Sequence, residues 1–377
     1  MIIAYVTFLN ILSLINGFPL SLKKSLSTYD LFLQLGPNKV TQQFELDLSI
    51  DFLWLCMLRL EEADIERTNN TFPIKIINEE TKGELLETSI KFQNTNITLS
   101  SFPFYFVMNR GIPGFDSFPL AFSFKNKSLS IIHTLYENNI IDSLSFGFSY
   151  QENEQYLYIG ALPEDLSNEY KDKKTIKVDK EYKTWGTVIN NITMGKYTFN
   201  TKYYGYFQAN TFPISAPKEF ITFLYEIVFK EYLEQGQCTI VQESFTKYIS
   251  CQCNILNEMN DTQIFFDDTL IPISIKYLIK SNNSNRCTLQ IKENEIDKDI
   301  EKFIFGISFL SQYPSLFDYE DESITFFSNK PFNQLNEISF SIHKKILTVL
   351  IILIVLNIIL LIISKRDFIS EFEFIKK

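Results

Sequence analysis

The chain has 377 residues and a formal net charge of −10, with 45% apolar and 21% charged residues. That composition is globular, excludes disorder, and suits two ordinary domains or one large bilobal one. Acidic and basic residues interleave, so no basic stripe can follow a phosphate backbone and no nucleic-acid partner is expected. Only two histidines, His133 and His343, are present, which leaves little room for a His-built zinc site or a Ser-His-Asp triad; no metal or cofactor is expected.

In chain order, Ile2 to Ile15 form an apolar run followed by Asn16, Gly17 and Phe18-Pro19. This reads as a secretory signal peptide over 1–17, with a buried N-terminal strand as the alternative. Runs of strand-like composition then recur at 31–35, 74–77, 89–92, 102–107, 156–159, 175–178, 264–266 and 324–327. A helical period is clear over Lys218–Glu234, where Phe220, Phe223, Leu224, Ile227, Val228 and Tyr232 recur, and weaker over Ser130–Asn138. The expected body is all-β with a few short helices.

Residues Ile346 to Ile363 are apolar except for Thr348 and Asn357, with Lys344-Lys345 before and Lys365-Arg366 after. As a helix this run spans roughly 27 Å, close to the hydrocarbon thickness of a bilayer. We read 346–363 as a transmembrane helix and 364–377 as a cytoplasmic tail, whose charge argues against a lipid-anchor signal. A leader plus one late span predicts a single-pass type I membrane protein of the secretory pathway or cell surface. Six sequons, at Asn69, Asn96, Asn126, Asn191, Asn260 and Asn282, all lie between the two apolar ends and are the expected glycosylation sites. Of five cysteines, Cys238, Cys251, Cys253 and Cys287 lie in the second half and Cys56 in the first. A secretory setting favours disulfides, with Cys238–Cys251 closing a hairpin and Cys253–Cys287 a longer loop; exchange of Cys251 with Cys253 stays open. Cys56 is left as a buried thiol.

Several segments resemble the pepsin-like aspartic peptidases. The stretch Phe44-Glu45-Leu46-Asp47-Leu48-Ser49-Ile50-Asp51-Phe52-Leu53-Trp54-Leu55 is similar to that family's first catalytic segment, with Asp47 and Trp54 at the Asp and Trp positions. Gly36-Pro37, Phe115-Asp116, Leu144-Ser145-Phe146, Leu157 to Gly160, Thr184-Trp185, Ile304-Phe305-Gly306, Phe309-Leu310, Tyr313 and Phe317-Asp318 follow in the family's order over roughly 29–328. The resemblance implies a bilobal β fold with a cleft between related lobes, here at 28–180 and 181–330.

The second catalytic loop falls on Tyr206-Phe207-Gln208-Ala209-Asn210-Thr211-Phe212, with Pro217 nine residues after Gln208 as the family's pattern requires. Gln208 therefore stands where the second Asp belongs, and Asp47 is a remnant of the dyad. The Thr positions hold Leu48 and Ala209, the Gly positions Ser49 and Asn210, the flap Tyr position Ile76, and the first lobe's Ile-Leu-Gly glycine position Leu120. The hydroxyl hydrogen bonds that tie the two loops are expected to be lost. The family's chemistry needs two carboxylates sharing one proton, and an amide cannot take part in that exchange. The expectation is a catalytically impaired homologue that binds a peptide or protein in the cleft. An active endopeptidase and a structural surface glycoprotein are the rival readings. Trp54 and Trp185 are expected as core anchors, and His133 on a surface helix.

Overall fold

The computed structural model describes residues 17–24, 28–55, 60–68, 70–76, 79–107, 116–122, 126–150, 155–163, 169–243, 246–259, 262–281, 285–294 and 302–332. The predicted leader up to residue 16, the membrane span and tail, Cys56, and the sequons at Asn69, Asn260 and Asn282 lie outside these residues. Among the described residues no helix is long and apolar enough to cross a membrane. Residues 1–329 form one compact unit, and 330–377 a second of which only the first three residues are described.

Strand β1 (Phe18–Ser21) is followed by eight strands that make one sheet: β2 (Lys23–Lys24), β3 (Tyr29–Leu35), β4 (Val40–Asp47), β5 (Trp54–Leu55), β6 (Thr71–Ile76), β7 (Glu79–Phe92), β8 (Thr98–Val107) and β9 (Ser117–Pro119). Their spatial order is β2-β3-β4-β9-β5-β8-β7-β6. Period-2 alternation drives the pairing: Leu31, Leu33 and Leu35 of β3 turn inward between half-buried neighbours. The 14-residue β7 shifts register between Thr88 and Ile90, and its far end pairs with β3 as well as β8. Such a bulge bends a long strand so that one strand serves two neighbours.

Strands β10 (Ser145–Tyr150), β11 (Gln155–Ile159) and β12 (Asp172–Lys177) precede a second large sheet. That sheet contains β13 (Gly186–Met194), β14 (Tyr197–Phe207), β15 (Ile214–Ala216), β18 (Thr262–Phe266), β19 (Thr269–Ile273), β22 (Ile291–Glu293) and β23 (Lys302–Phe305), in the order β19-β18-β13-β14-β23-β15-β22. A four-stranded sheet inserted within it is built from β16 (Cys238–Glu243), β17 (Thr246–Gln252), β20 (Ile279–Ser281) and β21 (Arg286–Leu289). The last strands, β24 (Ser315–Asp318) and β25 (Ser323–Ser328), return to pair with β10 and β12. The resulting six-stranded sheet, β1-β11-β10-β24-β25-β12, draws strands from both halves of the chain and joins the lobes. Its central strand β10 is buried on both faces, and Phe146 stacks on Phe317 at 4.9 Å. Trp185 packs edge-on against both rings and donates from Nε1 to the carbonyl of Leu120 at 2.7 Å, tying the second half to the first.

Both predicted helical segments are present, with two corrections. The stretch expected as one helix over 218–234 is an α-helix Lys218–Phe223, a π-helical turn Leu224–Val228 and a further α-helix Lys230–Glu234. A π turn inserts a residue into the helical period, and Ile227, expected on the inner face, is 50% exposed. The helix Ile131–Glu137, capped by Ser130, is no surface helix at His133: that residue is 8% exposed, with Nδ1 2.9 Å from Ser130 Oγ and its ring against Tyr319. Burial first, then Lys127, pushes its pKa down. The four-stranded sheet carries both disulfides, Cys238–Cys251 across the β16–β17 pair and Cys253–Cys287 joining the end of β17 to β21.

Candidate active site

The two lobes repeat one strand crossing. In the first, β4 runs parallel to β9, β9 meets β5 at Trp54–Ser117, and β5 runs parallel to β8. In the second, β14 runs parallel to β23, β23 meets β15 at Ser215–Ile304, and β15 runs parallel to β22. Asp47 ends β4 and Gln208 follows β14, so each occupies the same point of its crossing. The loops are held by backbone bonds: Leu120 N–H donates to Asp47 O at 2.9 Å, and Gln208 N–H to Phe305 O at 3.0 Å.

Asp47 and Gln208 meet across the boundary between the lobes, 2% and 9% exposed. Asp47 Oδ1 accepts from Ser49 N–H at 2.8 Å, Ser49 Oγ at 2.6 Å and Gln208 Nε2 at 3.4 Å. Its Oδ2 accepts from Asn210 Nδ2 at 3.1 Å. Gln208 Nε2 also reaches Ser49 Oγ at 3.2 Å, and Gln208 Oε1 accepts from Leu48 N–H at 3.3 Å. The bonds made by Gln208 are long, whereas those from Ser49 are short and strong. All donors to the carboxylate are neutral. Burial is the largest influence on Asp47 and pushes its pKa up, against the lowering effect of the Ser49, Ile50 and Gln208 hydrogen bonds.

This network supplies what the sequence concealed. Leu48 and Ala209 have no hydroxyl to tie the loops, and Gln208 and Asn210 tie them through amides instead. Ser49 and Asn210, which count in sequence only as lost glycines, are the principal donors to Asp47. Asn210 Oδ1 is buried and accepts no hydrogen bond among the described residues.

A half-buried carboxylate, Glu45, precedes Asp47 by two residues on β4, opposite Asp30 on β3. Burial, then Asp30, then Asp47 push its pKa from 4.5 to about 7. Gln43 Nε2 donates to Asp30 at 2.7 Å, and Gln42 donates to the buried Asp116. The acids around the site are thus met by amides on the same strand.

Ile76 ends β6 and pairs with Glu79 in the hairpin that corresponds to the flap; its side chain lies outside the described set, as do residues 77 and 78. The base of that hairpin is fixed by a feature that sequence reasoning missed. Glu84, 1% exposed, accepts from Arg67 Nε at 2.8 Å and Nη2 at 2.7 Å, and from Thr68 Oγ1 at 3.2 Å. Of the described sequons, Asn96 is exposed in the β7–β8 turn, Asn126 caps a short 3-10 turn, and Asn191 lies half-buried on β13. Trp54 and Trp185 are fully buried core residues.

The family model of the eukaryotic aspartyl proteases matches residues 65–328, a span that includes Gln208 and begins after Asp47. No curated protein matches the chain. Among solved structures, the aspartic proteinase from Irpex lacteus is similar in fold, with a TM-score of 0.65 at 12% identity over 84% of this chain and 98% of that one. The duplicated crossing, the bilobal sheets and the extent of the family match lead to one conclusion: the chain belongs to the eukaryotic aspartyl protease family and has its pepsin-like bilobal fold.

Proposed function

We propose that this protein is a membrane-anchored, catalytically silent member of its family that binds peptide or protein segments between its lobes without hydrolysing them. The observation that carries the reading is the company Asp47 keeps: amides from Gln208 and Asn210 in place of a second carboxylate. Peptide hydrolysis in this family takes one ionised carboxylate to accept a proton from water and one protonated carboxyl to donate to the substrate carbonyl. Gln208 does neither. Its Nε2 is already directed at Asp47 and Ser49, and its Oε1 already accepts from Leu48. Oδ1 of Asp47 already accepts from three donors, and Oδ2 from Asn210, so the carboxylate is largely occupied as an acceptor of a proton from water. Loss of acid–base help alone costs about 10²–10⁴-fold in rate. Support for anchoring in a secretory membrane comes from the apolar runs 2–15 and 346–363, and support for glycosylation from the sequons between them.

The test is peptide cleavage by the detergent-purified full chain, at pH values from about 3 to 7, beside its Asp47→Ala variant. Wild type and variant are expected to be equally inert while both bind a statine-type peptide ligand. Cleavage abolished by Asp47→Ala would overturn the reading in favour of an active endopeptidase. Absence of any peptide binding would leave a structural glycoprotein instead.

A further inference from the structure

We infer that the carbohydrate chain on Asn96 folds back into a groove built to receive it on the outer face of the first lobe, so that one of the six sequons is a structural part of the fold. The inference rests on the secretory placement proposed above. A cavity of about 440 Å³ opens beside the β7–β8 turn and is lined by Gln34, Lys91, Gln93, Asn94, Thr95 and Asn96 itself. A second, of about 280 Å³, shares Gln93 and Asn94 and continues to Leu22, Lys23, Leu31 and Phe32. The attachment residue thus lines the first cavity, and the second lies next along the same surface.

The chemistry of the lining suits a sugar. The amide side chains of Gln34, Gln93, Asn94 and Asn96 line the first cavity, and each offers both donor and acceptor, as hydroxyl and acetamido groups require. Phe32, half-buried, lines the second cavity with Lys23, whose Nζ lies over its ring 5.8 Å from the centre. No carboxylate lines either cavity. The turn that carries Asn96 is stiff. Phe92 N–H donates to Ile97 O at 3.1 Å, Thr95 Oγ1 donates to Phe92 O at 2.9 Å and accepts from Ile97 N–H at 3.0 Å, and Asn94 takes a left-handed φ of 61°. A sugar linked to Asn96 therefore starts from a fixed position. A groove this open and polar would hold a free sugar weakly, but a tethered one has a high effective concentration, so weak contacts suffice. Neither Asn126 nor Asn191 lines either cavity, which makes their chains internal controls.

The experiment uses the full chain expressed in a eukaryotic secretory host. Glycopeptide mass analysis reads occupancy at each sequon, and an endoglycosidase acting on the native protein reads protection. Asn96 is expected to be occupied, and its chain to be released about tenfold more slowly than those at the other occupied sites, with the difference gone after denaturation. A Gln34→Ala/Gln93→Ala variant, altered only in groove side chains, should keep the Asn96 chain and lose its protection. Asn96→Gln and Thr98→Ala should alike make trypsin cut faster after Lys23 and Lys24, the segment the chain would cover. An empty Asn96 beside occupied sequons elsewhere, or an Asn96 chain released as fast as the others, overturns this inference alone. A protein with no occupied sequon overturns it together with the secretory placement.

Discussion

The two lobes carry the same strand crossing and treat its tightest point in opposite ways. In the second lobe Gly306 follows β23, and an added Cβ would lie 2.4 Å from Thr211 O, 2.8 Å from Phe212 O and 2.6 Å from Pro213 O. Ile307 and Ser308 donate their N–H groups to Thr211 and Phe212, so the backbone of the Gln208 loop lies directly against this turn. In the first lobe the matching residue is Leu120, fully buried, with its N–H on Asp47 O and its carbonyl on Trp185 Nε1. One lobe keeps the close backbone approach that only glycine permits, while the other has exchanged it for side-chain packing. The difference teaches that the crossing is held by its strands, and that the close approach at its turn can be given up in one lobe without loss of the scaffold.

The largest expected effect breaks that comparison directly. Gly306→Leu places a side chain against three backbone oxygens that cannot move independently, and we expect a loss of more than about 4 kcal/mol, read as failure to recover folded protein. Leu120→Ala should cost only about 3 kcal/mol, the cavity term of a buried leucine, and leave a folded chain with a lowered denaturation midpoint. Equal tolerance of leucine at both positions would show that the two crossings are equivalent after all.

Next in size is Gln208→Asp, which makes the two loops symmetric at their centre. The change removes an amide donor and sets a second carboxylate beside Asp47 in a buried place. Two such groups cannot both ionise cheaply, so one pKa of the pair should rise. Stability at pH 7 should fall by about 2 kcal/mol and be regained in acid, where the pair holds a proton. Denaturant titrations at pH 4.5 and 7 measure this. No sizeable peptidase activity should appear, because Leu48, Ala209, Ser49 and Asn210 still set the loops. Robust cleavage by this single variant beside an inert wild type would show that residue 208 alone decides activity.

What the sequence made legible follows from the range of the interactions involved. Strands such as Tyr29–Leu35 and Thr98–Val107 and the helix Ile131–Glu137 announce themselves through local periodicity, and the resemblance supplied their bilobal arrangement. The position of Gln208 was legible because the spacing to Pro217 survives. The donors to Asp47 were not. Asn210 lies 163 positions away from it, and nothing local distinguishes an amide that crosses the lobe boundary from one that faces solvent. The Arg67–Glu84 pair was hidden for the same reason, as one of many possible pairings in a chain rich in both charges. His133 was misplaced because a helix of seven residues gives too short a period to fix which face is inward.

The smallest expected effect sharpens the comparison through pH. Glu45 stands two residues before Asp47, while the matching position before Gln208 is Tyr206, which carries no carboxylate. Burial and the neighbouring Asp30 and Asp47 carry Glu45 from 4.5 to about 7 in the folded protein. Between those values the folded chain binds a proton that the unfolded chain has released. By linkage, Glu45 therefore withdraws stability as pH rises from about 4.5 to about 7 and withdraws nothing further above that range. Because Glu45 is half exposed, solvent screening should hold the loss to about 1 kcal/mol. Denaturant midpoints across this range should fall for the wild type and fall less steeply for Glu45→Gln, which is the more stable of the two at pH 7. Asp47, also raised by burial, contributes a slope of the same sign. Tyr206→Phe should leave the slope unchanged, since it removes no carboxylate. If instead Glu45→Gln keeps the whole slope, the pH response does not belong to Glu45, and this carboxylate makes no difference between the lobes.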